Sequence, residues 1–106
     1  MHLRLPQNAE TIQLTARNSF HNAVLLLDRG EPGRGEELLR QTITEAERGN
    51  DRIALVQALV CLGDLLCSTG RQLEGRPFLE KALVEDAGED DLLSYELERA
   101  RQLTSE

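Results

Sequence analysis

The chain has 106 residues, enough for one elongated hydrophobic core and not for two. Apolar residues make up 40% and aromatic ones only 3%, so the core is built from Leu, Ile, Val and Ala, a composition that favours helix. With 12 basic residues against 19 acidic ones the net charge is -7, which repels phosphate backbones, excludes nucleic acid as the expected ligand and leaves a basic or apolar partner.

The first ten residues hold Arg4, Pro6 and Asn8, and no later apolar run has the length of a signal peptide or a membrane span. The expectation is a soluble, cytoplasmic protein with no membrane partner.

Asn8 can cap a first helix running to about Arg29, with Ile12, Ala16, Phe20, Ala23 and Leu27 recurring on one face. Gly30 ends it. Pro32 suits the first turn of a second helix, where its missing N–H costs no bond, and Leu38, Leu39, Ile43 and Ala46 form its stripe up to Gly49. Asn50 and Asp51 are good caps for a third helix, whose segment from Ile53 to Leu66 is apolar almost all round and must therefore be sandwiched.

Gly70 closes that helix, and a fourth from about Gln72 to Ala87 uses Leu73, Phe78, Leu79, Ala82 and Leu83 as its inner stripe. Pro77 should loosen its opening turns without abolishing it. Gly88 stops the fourth helix, and Asp90 or Asp91 can cap a fifth holding Leu92, Leu93, Tyr95, Leu97, Ala100 and Leu103. Its polar residues Glu96, Glu98, Arg99, Arg101 and Gln102 suit a terminal cap.

Two stretches say nearly the same thing: LLDRGEPGRGEELLRQTITEAERG from Leu26 and LLCSTGRQLEGRPFLEKALVEDAGE from Leu66. A shift of 40 residues aligns Leu26 with Leu66, Gly30 with Gly70, Gly35 with Gly75, Leu39 with Leu79 and Ile43 with Leu83. Gly35, Gly63 and Gly75 fall inside helical runs, where each costs about 1 kcal/mol relative to Ala unless packing returns it. Close helix crossings supply that return, with Ala23 facing Gly35 and Gly63 facing Gly75.

The segment LVCLGDLLCSTGRQLEGRPFLEKALVE, with Leu59, Leu62-Gly63, Leu66, Gly70, Gly75, Leu79 and Ala82-Leu83 in order, resembles the tetratricopeptide repeat (TPR) signature. Ala23, Leu26, Gly30, Gly35 and Leu39 fit a looser first copy, from which Asn22 and Thr42 depart. The resemblance, of the long-repeat type, implies an all-α, right-handed α-solenoid of antiparallel hairpins. Residues 1–106 form a single domain in this reading, with repeats at about 9–49 and 50–88 and a capping helix at about 90–104. It also implies a concave groove lined by the first helix of each pair, placing Arg17, His21, Val24, Asp28, Gln57, Cys61, Asp64, Ser68, Glu96 and Arg99 toward a ligand. The TPR clamp for chaperone tails needs Lys, Asn and Arg where this chain has Phe20, Val24, Cys61, Glu96 and Ala100, which argues against that ligand.

Nothing in the sequence asks for catalysis or a cofactor. His21 is the sole histidine in the repeats and lacks a Ser, Cys or carboxylate partner at helical spacing. The acidic run Glu85, Asp86, Glu89, Asp90 and Asp91 lacks the alternating ligands and glycine of a calcium loop. Cys61 and Cys67, six residues apart on one helix, stand about 9 Å apart and cannot form a disulfide, nor is there a cluster to bind zinc. The expected function is a non-enzymatic protein-protein interaction module holding a peptide or helix of a partner. The alternative is self-association into a homodimer through apolar ends at Leu3, Leu5, Ile12 and Leu14, or a place as the regulatory part of a larger assembly.

Overall fold

The computed structural model describes residues 9–85 and 93–105, with side chains from residue 15 onward. It is all-helical: α1 (Ala9–Asp28), α2 (Pro32–Arg48), α3 (Arg52–Ser68), α4 (Gln72–Val84) and α5 (Ser94–Thr104) follow one another with no strand among the described residues. The Asn8 cap, the apolar groups at Leu3, Leu5, Ile12 and Leu14, the stop at Gly88, the caps at Asp90 and Asp91, and Leu92 lie outside the described residues or side chains.

The first three helices end alike. Gly30, Asn50 and Gly70 take positive φ of 77°, 53° and 83°. The next residue's N–H then reaches back to the carbonyls of Leu26, Ala46 and Leu66 at 2.9, 2.9 and 2.8 Å, the Schellman closure. Gly49 was the expected terminator of α2, but the left-handed residue is Asn50, one of the residue types that tolerates that conformation. Asn50 therefore closes α2, and Asp51 alone caps α3, its carboxylate accepting from the Ala54 N–H at 3.2 Å.

Adjacent helices pack closely: α1 on α2, α2 on α3, α3 on α4 and α4 on α5, while α3 also touches both α1 and α5. So α3 is central. Ala54, Leu55, Val56, Ala58, Leu59, Val60, Leu62, Gly63 and Leu66 are all buried on it, as an apolar surface running round the whole helix requires. The radius of gyration of 14.3 Å exceeds the roughly 13 Å of a spherical domain of this length.

The interior glycines mark the crossings. A methyl group built on Gly75 would lie 2.8 Å from the Gly63 carbonyl oxygen, and one on Gly63 would lie 3.2 Å from the Gly75 carbonyl oxygen. In the first hairpin a methyl on Gly35 would meet the Ala23 carbonyl oxygen at 3.5 Å. The flanking side chains also correspond, since Leu27 crowds Gly35 where Cys67 crowds Gly75. The 40-residue sequence offset is thus repeated in the backbone packing.

Two apolar residues stand elsewhere than their sequence stripes suggested. Leu73 is 93% exposed, because Gly75, Leu79 and Ala82 set the buried line of α4 and a position six residues before Leu79 points away from it. Tyr95 is 78% exposed for the same reason on α5, whose buried line is Leu97 and Ala100, preceded by Leu93. Pro77 lies inside α4, and its missing N–H strands the carbonyl of Leu73, a residue open to water that can satisfy it. The described part of α4 ends at Val84, short of the expected Ala87.

Long side chains join the hairpins. Arg71 reaches Glu36 at 2.7 Å and Glu74 at 2.7 Å, and Arg40 reaches Glu36 at 3.1 Å and Glu74 at 3.0 Å, closing a four-membered ring of alternating charge between α2 and the start of α4. Lys81 pairs with Glu47 at 2.7 Å, and the Arg40 guanidinium lies 5.4 Å from the centre of the Phe78 ring.

Candidate functional site

The ten residues expected to face a ligand come from α1, α3 and α5, the helices that meet at α3. On α1, His21 and Asp28 are exposed and Val24 is half-buried. Arg17 is committed elsewhere: its Nε donates to Asp51 Oδ2 at 2.8 Å, and Asp51 is only 3% exposed. Burying a carboxylate is tolerable when it is paired and hydrogen-bonded, and Asp51 has both Arg17 and the Ala54 N–H. Arg17 thereby ties α1 to the cap of α3.

On α3, Gln57, Cys61 and Asp64 are half-buried and Ser68 is exposed, its hydroxyl donating to the Leu65 carbonyl at 2.9 Å. Burial, with a smaller contribution from the nearby Asp64 carboxylate, pushes the Cys61 thiol up to about 11. Cys61 is therefore a neutral thiol at physiological pH and a poor nucleophile.

Asp64 and Arg99 satisfy each other. Arg99 Nη2 and Nε donate to Asp64 Oδ1 and Oδ2 at 3.1 and 3.2 Å, a bidentate pair linking α5 to α3, with both side chains a little over one third exposed. Glu96 is half-buried, and its Oε2 is closed off from solvent without a hydrogen-bond partner. Asp28 remains an exposed carboxylate on this face.

A groove of about 260 Å³ opens beside the Asp64–Arg99 pair. Its walls are Asp64, Cys67 and Ser68 of α3, Leu73 and Arg76 of α4, and Arg99 and Leu103 of α5. Arg76 spans the gap by donating to the Thr104 carbonyl at 2.8 Å. A second hollow of about 300 Å³ lies at the α2–α3 turn among Glu47, Asp51, Arg52, Leu55 and Glu85. Small-molecule sites usually enclose roughly 300 to 1,000 Å³, so both hollows lie at or just below the bottom of that range.

No family model matches the chain, and no curated protein or solved structure is significantly similar to it. The geometry must therefore carry the functional reading. Among the described residues no three His, Cys, Asp or Glu side chains gather as a metal site, and no helix is long and apolar enough to cross a membrane.

Cys67, Leu73, Arg76 and Leu103 were not among the residues expected to line a groove. The available signal was Leu73: a large aliphatic side chain off the line of Gly75, Leu79 and Ala82 has no place in the core. Arg76 and Leu103 become neighbours only when α5 folds back on α4, which no local pattern encodes.

Proposed function

We propose that this chain is a TPR-like protein of the long-repeat type: two antiparallel hairpins and a capping α5, stacked as a right-handed α-solenoid. It acts as a non-enzymatic, cytoplasmic protein-protein interaction module, and its concave face receives a peptide or helix of a partner protein. The supporting observation is the repeated crossing, in which Ala23–Gly35 and Gly63–Gly75 meet at the same place in each hairpin 40 residues apart. Repetition of that kind serves the building of a continuous surface from equivalent units. On this face burial holds the Cys61 thiol protonated, which makes it a poor nucleophile.

The net charge of -7 steers basic partners toward the molecule over distances up to the Debye length of about 8 Å. A peptide library displayed on phage tests the reading. Selected peptides should bind wild type saturably and lose at least about ten-fold in affinity in a His21→Glu, Asp28→Lys variant, a change of roughly 1.4 kcal/mol. Both side chains are exposed, so folding should be preserved, with far-UV circular dichroism as the check. Failure to enrich any peptide above an uncoated surface, or equal binding by the variant, would remove the assignment.

A further inference from the structure

We propose that the surface of α3 and α4 beneath α5 is a docking site for an amphipathic helix of a partner protein, and that α5 is the chain's own occupant of it. The inference deepens the interaction-module reading and rests on it, naming a helix as the ligand at this end of the face.

The chemistry of the occupant is visible in α5. Leu93, Leu97 and Ala100 are buried, Leu103 is half-buried, and their steps of four, three and three residues make one helical stripe. Arg99, beside that stripe, places its guanidinium on Asp64 through two hydrogen bonds. A competing helix therefore needs the same aliphatic stripe and an Arg in register with Asp64.

Four observations show that α5 fits imperfectly. It has 11 residues, below the 12 to 15 at which isolated helices become even marginal in water. Its N-cap position is Leu93, whose aliphatic side chain cannot cap the first turn. Its Glu96 Oε2 is buried without a donor, an unsatisfied group that docking of α5 creates or tolerates. The groove of about 260 Å³ lies between its second half and the α3–α4 hairpin, with Leu73 at 93% exposure on the rim. A helix carrying a larger residue at the Leu103 position would fill that space and cover Leu73.

α5 then acts as a built-in competitor, and the apparent affinity for a partner helix is reduced by the fraction of time in which α5 is docked. The full-length chain tests this with a fluorescent peptide of the 93–105 sequence, a version in which Phe replaces the residue at position 103, and a control in which Asp and Glu replace those at positions 97 and 99. A Leu97→Ala, Arg99→Ala variant weakens the resident helix and leaves α3 and α4 unchanged.

That variant should bind the first peptide at least about ten-fold more tightly than wild type does, bind the Phe version more tightly still, and ignore the control. Adding Leu73→Asp should abolish the Phe version's advantage. Equal binding by wild type and the variant, no binding by either, or collapse of the whole helical signal in the variant would overturn the proposal. If phage-selected ligands continue to depend on His21 and Asp28 in that event, the interaction-module reading stands without it.

Discussion

A methyl group at Gly75 would sit 2.8 Å from the Gly63 carbonyl oxygen and 3.0 Å from the Leu66 Cβ, and neither atom can swing aside. At Gly63 it would fall 2.5 Å from Cγ of Leu79, a side chain with no exposed surface and so no room to retreat. Overpacking costs roughly 1 to 3 kcal/mol, against about 1 kcal/mol returned by the better helix propensity of Ala. Gly75→Ala and Gly63→Ala should therefore each destabilise the chain, by up to about 2 kcal/mol, in urea titrations. Gly35→Ala should cost less, because its crowding comes from Cγ and Cδ2 of Leu27, a half-buried side chain with room to turn, and the Ala23 carbonyl oxygen is 3.5 Å away. Equal losses at all three positions would contradict this ranking. Cys61 gives a second residue-level expectation. Its folded thiol, at about 11, holds a proton more tightly than the ordinary thiol at 9.0, so its contribution is complete below pH 9 and is lost as the pH climbs toward 11. The stability difference between wild type and Cys61→Ala should shrink across that window. A difference flat in pH would mean that the thiol is not desolvated.

At the scale of elements, the ring of Glu36, Arg71, Glu74 and Arg40 fastens one hairpin to the next. Hydrogen bonding from Arg71 is the main cause that holds both Glu36 and Glu74 below the ordinary 4.5. Their contribution is present above pH 4.5 and disappears as the pH falls through the lowered values. Wild type should thus lose stability more steeply below pH 4.5 than a Glu36→Gln, Glu74→Gln variant, and 1 M salt should narrow the gap because Arg71 and Glu74 are open to solvent. Parallel acid profiles would show that the ring is ornamental. None of this ring was legible in the sequence, since its cross-hairpin members lie 34 and 35 residues apart and meet only through packing. Helices α1 to α3 were legible because Gly30, Gly70, Pro32 and Asp51 act on their immediate neighbours. Leu73 departs from the α4 stripe that its residue type suggests, because its angular position lies off the line of Gly75, Leu79 and Ala82. The TPR resemblance puts Asp64 and Arg99 on one face, but their pairing with each other is a tertiary fact that no local pattern encodes.

The whole molecule is unevenly held. Among the described residues, α3 touches four other helices and buries nine of its 17 residues, whereas α5 touches only α3 and α4 and buries two of its 11, with Leu93 just before it. Local opening starts where buried apolar contacts are fewest. Tyr95 makes this measurable: it is the sole tyrosine in a chain without tryptophan, it lies on the open face of α5, and its fluorescence reports that helix alone. The Tyr95 signal should change at lower urea than circular dichroism at 222 nm, which averages all five helices. Native-state amide exchange should be slowest in α3 and at least about ten-fold faster in α5, a difference of some 1.4 kcal/mol in opening free energy. Arg99→Ala should widen that difference by removing the Asp64 latch, while leaving exchange in α1 and α2 unchanged. Coincident transitions with uniform protection from α1 to α5 would instead describe one indivisible cooperative unit, in which the last helix is as firmly built in as the first.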